Sequence, residues 1–442
     1  MNAQANSAAG GDTPRPAPAS SVRLLANTAW LTAANLIARI IGYGGFILLA
    51  RAYSSADVGT YAVLVTGMIF AELAGNLSLD KILVRDLARG AEDPAGLVSA
   101  ALLLKLCASV LGAGAITVLL FAMYPEFGGI RPQVVVYMSG AVPVAMARLV
   151  ESLYMARERM MEPALAQLAE RGTQFLILLG AWLGWYGFPV LLLLLPATGI
   201  VRLCALLCMT GEHGNELARL LRALPGHIRA CPPAMRQLLS EAARLLAVEV
   251  MAGIYFRIDV FLLARMTTFS DTGLYHVAYR VLDVMAAVFT GYLAAVFPML
   301  ARRGRGAPFT VIILSGLVVM VPASLGVIAF RAEILGLFGT AYGQAATVLV
   351  WLMAACPLVY IASMFANIAI AMGRIGMLVR LAFAMMTLNV ALNLLLIPFY
   401  SITGAAIATF VCECVSLVLF TAGLRDVLWA PAEPATEAGA PR

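Results

Sequence analysis

Charged side chains interrupt the long apolar runs of this 442-residue chain, and they are the residues most able to do chemistry. A charge inside a bilayer costs a few kcal/mol on insertion scales, so it tends to face a cavity or a partner. Arginine is permanently charged and presents a fork of donors that matches phosphate oxygens. The candidates for a cationic, substrate-binding cavity are Arg39, Arg202, Arg257, Arg280 and Arg380. The candidates for ion coupling or counter-charge are Glu72, Glu249, Asp259 and Asp283.

Arg39 and Arg280 are the two positions that we favour for contact with a ligand. Arg39 lies near the middle of the first apolar run, and Arg280 lies in the outer half of the eighth. The alternative for Arg280 is an internal salt bridge, because Asp283 follows three residues later and shares its helix face. Arg148 and Glu151 repeat this spacing near the inner end of the fourth run, where long side chains reach the membrane interface easily.

The elements that must position these side chains are membrane-spanning helices. Hydrophobic residues make up 62% of the chain and charged residues 12%, and the mean hydropathy is +0.90, which excludes a water-soluble domain of this length. A helix crosses about 30 Å of hydrocarbon with roughly 20 residues, and the continuous apolar runs lack the alternation of barrel strands. We predict an all-α polytopic fold with spans at 24–50, 57–79, 96–122, 133–155, 162–186, 188–209, 240–265, 272–299, 308–330, 344–371, 376–398 and 402–424.

The distribution of basic residues predicts the orientation. If the N-terminus is cytoplasmic, most Lys and Arg residues outside the spans fall on the inner side, which the positive-inside rule requires. Residues 1–21 and 427–442 are rich in Ala and Pro, and we predict that both are disordered cytoplasmic tails. The basic residues are spread over alternate loops, so the net charge of +6 does not indicate nucleic acid.

An internal repeat divides the chain. The sequence LLAR at 48–51, followed by DVGTY at 57–61, returns without a gap as LLAR at 262–265 and DTGLY at 271–275. An Ala- and Leu-rich composition does not supply matching Arg, Asp, Gly and Tyr residues by chance. The repeat therefore predicts two halves that follow the same path through the membrane.

The two predicted halves are pseudo-symmetric six-helix bundles over residues 22–209 and 238–426. Because each half has an even number of spans, the second half re-enters from the same side, and the repeat axis runs along the membrane normal. Residues 210–237 join the halves, and we predict a cytoplasmic amphipathic linker that lies on the inner leaflet.

The repeated motif has a structural and a functional interpretation. In the structural interpretation, Ser55 and Ser270 lie near helix N-caps, and the following Asp is favoured by the helix dipole. The functional interpretation is an outer gate of two ion pairs that form and break as the halves move. The pairs would be Arg51 with Asp57 and Arg265 with Asp271.

The sequence carries no enzyme motif. It has no P-loop, no nucleophile elbow and no His/Asp/Glu cluster at metal spacing. The seven cysteines offer no outer disulfide framework, and Cys204 and Cys208 share a helix face but lack further ligands. We therefore predict no catalytic residue, no metal site and no cofactor.

The LLAR-x5-D-x-G-x-Y hairpin, the twelve-span layout in two halves and Gly373-Arg374 after the tenth span resemble the Wzx-type lipid-linked oligosaccharide flippases. These belong to the multidrug/oligosaccharidyl-lipid/polysaccharide exporter superfamily. The resemblance covers residues 23–425 and implies a V-shaped pair of bundles. It further implies alternating access that moves an undecaprenyl-diphosphate-linked oligosaccharide from the inner to the outer leaflet of a bacterial plasma membrane, for polysaccharide or O-antigen export. Similar flippases carry important cavity arginines on the first and eighth helices, and work beside a polymerase and a chain-length regulator.

Two other functions stay open at this point. An ion-coupled multidrug or small-molecule antiporter of the same fold would prefer an acidic, aromatic cavity, so the sign of the cavity charge discriminates it from a flippase. A membrane-embedded polysaccharide polymerase or ligase would present a substantial outer loop with catalytic Arg or His, and the predicted outer loops are short.

Overall fold

The computed structural model describes residues 21–91, 93–209, 232–303 and 308–428, and every regular element in these ranges is helical. The helices of the first half are α1 (Ser21–Ala52), α2 (Ser55–Asn76), α3 (Leu79–Ala88), α4 (Pro94–Met123), α5 (Arg131–Ser139), α6 (Ala141–Met155), α7 (Met161–Trp182), α8 (Phe188–Leu194) and α9 (Ala197–Cys208). Those of the second half are α10 (Pro232–Met266), α11 (Phe269–Arg303), α12 (Phe309–Ala329), α13 (Arg331–Gly336), α14 (Ala346–Ala371), α15 (Ile375–Gly423) and α16 (Arg425–Leu428). A 3-10 helix precedes α5 at Pro125–Ile130, and a second one precedes α14 at Thr340–Ala345.

The prediction of about twelve spans agrees with these helices. Eight helical stretches in the described part of the chain are long and apolar enough to cross a membrane. One of them, the 49-residue α15, contains two predicted spans that meet at Ser401, where the backbone is not helical. The other three spans are α7, α10 and α11, which are 22, 35 and 35 residues long and carry charged residues in their interiors. The chain is an all-α polytopic membrane protein.

The boundaries differ from the prediction in a few places. The fourth predicted span is broken at Gly140 between α5 and α6, and the sixth is broken between α8 and α9. The predicted linker ends earlier than expected, because α10 begins at Pro232. Residues 210–231 of that linker and the tails at 1–20 and 429–442 lie outside the described residues.

A short amphipathic helix, α3, follows α2 and was not predicted. Leu77 and Ser78 separate the two helices, and both have left-handed backbone (φ 49° and 55°), which is unfavourable for residues with a Cβ. Lys105 of α4 is fully buried, donates to Asn76 Oδ1 over 2.6 Å and forms an ion pair with Asp80. This lysine therefore fastens both sides of the bend.

The repeat holds along the whole chain. Helices α1 and α10 end at positions 52 and 266, α2 and α11 begin at 55 and 269, and α7 and α15 begin at 161 and 375. Each pair is 214 positions apart. The two halves are therefore copies of one helical plan, as the sequence predicted.

The halves meet most closely where α2 and α11 cross near their N-termini. Gly59 and Gly273, which are equivalent in the repeat, face each other there, and both are buried. A Cβ added at Gly59 would lie 1.7 Å from the carbonyl oxygen of Phe269, and one at Gly273 would lie 2.0 Å from that of Ser55. Ser55 and Ser270 also share a hydrogen bond of 2.7 Å across the crossing. Only glycine allows this approach, and we call this end of the molecule the glycine end.

Two reciprocal contacts close the glycine end around this crossing. Tyr124, after α4, donates to the carbonyl oxygen of Phe261 in the second half over 2.7 Å. In the opposite direction, Arg51 at the end of α1 donates from Nε to the carbonyl oxygen of Leu337 over 2.7 Å. The first half thus contacts the second half at α10 and at the residue that follows α13.

The opposite end of the molecule, which we call the basic end, joins the halves through ion pairs. Lys81 and Arg85 of α3 contact Glu249 and Glu241 of α10, over 2.6 Å and 2.8 Å. Helix α10 also packs against α2 and α4. One side of the interface is therefore held along its length by α10.

Candidate substrate cavity

A cavity of about 270 Å³ lies among α1, α2 and α7, and Arg280 of α11 also lines it. Three arginines line it, Arg39, Arg171 and Arg280, and no carboxylate does. The remaining polar lining consists of amides and phenols: Asn35, Tyr43, Tyr61, Gln167 and Gln174. We call this space the arginine lobe. Its lining combines fixed cations with groups that can hydrogen-bond hydroxyls.

A second cavity of about 290 Å³ shares Tyr61, Arg171, Gln174 and Arg280 with the arginine lobe, so the two adjoin. It also reaches α6 and α9, and two carboxylates, Glu72 and Glu170, line it. We call it the glutamate lobe. Both lobes lie chiefly within the first half, and Arg280 is the second-half residue in their linings.

The carboxylates of the glutamate lobe are already paired with arginines outside its lining. Glu72 accepts from Arg148 of α6 over 2.9 Å. Glu170 accepts from Arg202 of α9 over 2.9 Å, and Arg202 also binds both carboxylate oxygens of Glu151, over 2.7 Å and 2.9 Å. The expectation that Arg202 faces the cavity is therefore corrected, because its fork is directed at two glutamates of neighbouring helices.

The arginines in the lining are less fully paired. Arg39 is exposed and has no ion pair with a described residue, and Arg171 donates to Gln174 Oε1 over 2.7 Å. Arg280 lies 3.5 Å from Asp283 and 5.1 Å from the centre of the Phe46 ring. The two interpretations of Arg280 therefore hold together, since it contacts Asp283 and also lines the cavity.

Asp283 does not neutralise Arg280 by itself. It also lies 3.4 Å from Arg257, so two cations share one carboxylate. Arg257 is placed over the Tyr279 ring, 5.2 Å from its centre, and does not line either lobe. The combined charge of the two lobes and their paired surroundings is positive.

Two further candidates lie away from the lobes. Arg380 is exposed near the start of α15 and donates to the carbonyl oxygen of Gly376 over 3.3 Å. Glu249 forms its ion pair with Lys81 at the basic end. Neither residue lines the described cavities.

A small cavity in the second half, of about 80 Å³, collects acidic and phenolic groups. Asp259 and Glu413 line it, with Tyr255, Tyr279 and Asn389. Tyr255 donates to Glu413 over 2.6 Å, and both carboxylates are buried. Asp283 also belongs to this lining, so the charged residues of the small cavity are acidic, whereas those of the arginine lobe are basic.

The predicted ion pairs of the outer gate are absent among the described residues. Asp57 instead forms a capping box with Ser54, and Asp271 binds the hydroxyl of Thr268 in the equivalent position. The N-caps are thus Ser54 and Thr268, one and two residues before the serines that the sequence suggested. Arg51 does join the halves, but through the main-chain oxygen of Leu337. Arg265 is exposed, and no described residue accepts a hydrogen bond from it.

Arg171 lines a cavity but is not among the candidates from the sequence, and the same is true of Glu170 and Glu413. Arg171 lies on α7 with Gln167 four residues before it and Gln174 three residues after it, and all three line the arginine lobe. This spacing places them on one helix face. A polar stripe along one face of a span is the signal that could have identified Arg171.

Comparison with solved structures identifies the fold. The chain is similar to a structure described as the lipid II flippase MurJ in an inward closed conformation (TM-score 0.71, 14% identity, 90% of this chain and 89% of that one). It is also similar to an inward-facing multidrug resistance MATE family transporter of the MOP superfamily (TM-score 0.70, 12% identity, 89% and 96%). The fold is therefore that of the MOP superfamily transporters, which confirms the predicted arrangement of two helical bundles.

Sequence comparison gives the family. Residues 24–304 match the family described as polysaccharide biosynthesis protein, and the chain belongs to it. A protein of Haloferax volcanii described as the probable low-salt glycan biosynthesis flippase Agl15 is 27% identical over 173 residues. That match spans 37% of each chain.

Proposed function

We propose that this protein flips an undecaprenyl-diphosphate-linked oligosaccharide from the inner to the outer leaflet of a bacterial plasma membrane, for polysaccharide or O-antigen export. The observation that carries the proposal is the charge of the cavity. Its carboxylates are paired behind the wall, whereas Arg39, Arg171 and Arg280 remain available on the surface. Such a cavity is suited to a diphosphate and unsuited to a cationic drug.

Each part of the substrate has a matching surface in this proposal. Arg39, Arg171 and Arg280 bind the diphosphate oxygens, because a guanidinium provides paired donors in a plane. The amides of Asn35 and Gln167 face the first sugars, which need donors and acceptors for hydroxyl groups. The lipid tail stays in the hydrocarbon, so the protein carries only the polar head across. No step requires a catalytic residue or a cofactor.

Alternating access is the proposed transport cycle. Under the positive-inside orientation, the glycine end is the outer end and both termini are cytoplasmic. The crossing of Gly59 with Gly273 and the Arg51 contact with Leu337 then form the closed outer gate. Opening separates these contacts while the lobes become accessible from outside.

We propose that the second-half cavity couples transport to a cation or proton. Asp259 and Glu413 supply the negative charge, and the phenol of Tyr255 already occupies one oxygen of Glu413. Asp283, Glu72 and Glu249 are less suited to this role because each is paired with a basic residue. The acidic cavity is also the feature that would favour an ion-coupled antiporter of small molecules, so the transported substrate must be tested directly.

The test is a flipping assay in proteoliposomes that contain a fluorescent prenyl-diphosphate oligosaccharide, with a membrane-impermeant quencher reporting the exposed leaflet. Changing Arg39, Arg171 or Arg280 to Ala should slow flipping on the order of tenfold or more, because each removes charge-assisted hydrogen bonds. Arg380→Ala is the matched control, since that arginine lies outside the lobes, and it should flip at the rate of the unchanged protein. Transport of a cationic dye without movement of the lipid would refute the proposed function.

A further inference from the structure

Two arginines lie next to the glutamate lobe without lining it, and each is paired with a glutamate that does. Arg148 and Arg202 are absent from the lining, whereas their partners Glu72 and Glu170 belong to it. The N to O distance is 2.9 Å in both pairs. An arginine outside the lining thus contacts a glutamate of the lining twice around one cavity, and the four residues lie on four different helices.

The arrangement around Arg202 is largely removed from water. The exposed fractions are 16% for the side chain of Arg202, 10% for Glu151 and 11% for Glu170. A buried carboxylate without its partner keeps its unfavourable desolvation, so these pairs are maintained in the folded protein. The pair of Arg148 with Glu72 is more exposed and simpler, because it joins one cation to one anion.

We propose that Arg148 is a positioning residue that sets the anion preference of the cavity by neutralising Glu72, whereas Arg202, which two glutamates share, offsets only part of the charge of Glu170. The identity of the preferred anion, a diphosphate, rests on the proposed function. Without Arg148, the charge of Glu72 would oppose Arg171 and Arg280 in the same lobe. With Arg148 in place, Glu72 contributes little to the local field, because a compensated carboxylate acts weakly beyond its partner.

The rival interpretation is that Glu72 itself carries a coupling ion and that Arg148 merely adjusts it. The two interpretations predict opposite results for the loss of both charges. A neutralising arginine becomes unnecessary once its glutamate is neutral. The double change Glu72→Gln with Arg148→Gln should therefore restore the anion preference of the cavity. A coupling carboxylate cannot be replaced by an amide, so the double change would remain defective.

The first test measures the sign of the cavity charge without any substrate. The seven native cysteines are replaced, Val144 in the lining of the glutamate lobe is changed to Cys, and the purified full chain reacts with an anionic or a cationic methanethiosulfonate. Arg148→Gln should lower the ratio of the anionic to the cationic reaction rate on the order of tenfold. Glu72→Gln with Arg148→Gln should return the ratio to within about twofold of the starting protein.

The controls separate electrostatics from folding. Lys81→Gln breaks an ion pair outside both lobes and should leave the ratio unchanged. Arg148→Lys keeps the charge and should retain most of the ratio, and thermal unfolding must show that every compared variant is folded. A ratio that stays low in the folded double variant, or that does not respond to Arg148→Gln, would overturn the proposal.

The second test uses binding of inorganic diphosphate, measured by calorimetry on the same variants in detergent. The affinity should fall with Arg148→Gln and recover in the double variant, in parallel with the reagent ratio. If the ratio responds as expected while the unchanged protein binds no diphosphate, the neutralising role stands and the proposed substrate fails. If diphosphate binds but the ratio of reagent rates does not change in Arg148→Gln, the substrate proposal stands and the neutralising role fails.

Discussion

The glycine crossing gives the sharpest prediction about conformational change. In Gly59→Ala the new Cβ would lie 1.7 Å from the carbonyl oxygen of Phe269, whereas ordinary carbon to oxygen contacts are about 3.3 to 3.6 Å. Helices α2 and α11 must therefore separate by about 1.6 Å or more at this point. Overpacking of this kind costs about 1 to 3 kcal/mol. The cost applies only to the state in which the glycine end is closed.

Because the closed state alone is penalised, the equilibrium should shift toward the state that is open at the glycine end by about 5- to 150-fold. The assay is labelling of a single cysteine at Val144, in intact cells, by a membrane-impermeant maleimide. We expect faster labelling in Gly59→Ala, and the same direction in Gly273→Ala, whose Cβ would lie 2.0 Å from the oxygen of Ser55. The double variant should add little, because one separation of the helices relieves both clashes.

The matched control is Gly114→Ala on α4, where an added Cβ meets nothing within 4 Å. Its labelling should stay at the starting rate, and alanine in a helix should even stabilise it slightly. Unchanged labelling in a folded Gly59→Ala protein would refute the reasoning, since the helices would then have found another close arrangement. Lost thermal stability without faster labelling would mean that the crossing only holds the fold.

Three further predictions concern other contacts. A disulfide between cysteines placed at Ser55 and Ser270, whose hydroxyls are 2.7 Å apart, should stop flipping until a reductant is added; flipping that continues at full rate while crosslinked would exclude opening at the glycine end. Lys105→Met should destabilise the protein by about 3 kcal/mol, because it leaves Asp80 without its partner, and adding Asp80→Asn should recover part of the loss in a thermal unfolding assay. A cysteine at Gly128 should be labelled from outside the cell, and labelling only after permeabilisation would reverse the proposed orientation.

Much of the fold was predictable because membrane spans and repeats can be recognised from short stretches of sequence. Apolar runs and the LLAR motif identified the helices and the two halves. The α3 helix was missed because it is only ten residues long, and its start depends on a left-handed bend at Leu77 and Ser78. Neither residue type favours that conformation, which Lys105 of a distant helix holds in place.

The site residues were predictable only where the position along a helix decides whether a side chain lines the cavity. Arg39 lies in the cavity lining, where its central position in the first span suggested it would be. Arg202 does not line the lobes, and its contacts were not predictable because its partners Glu151 and Glu170 are 51 and 32 residues away in sequence. The contact of Arg51 with a main-chain oxygen has no side-chain partner that a sequence could reveal.

The 214-residue offset pairs residues that have diverged in kind. The position equivalent to Arg39 is Gly253, the one equivalent to Arg280 is Thr66, and the one equivalent to Asp259 is Gly45. The first half supplies Arg39 and Arg171 to the arginine lobe, whereas the second half supplies Arg280 to it and holds the acidic cavity around Asp259. A chain assembled from two first halves would therefore repeat Arg39 and Arg171 but would lack both Arg280 and the acidic cavity.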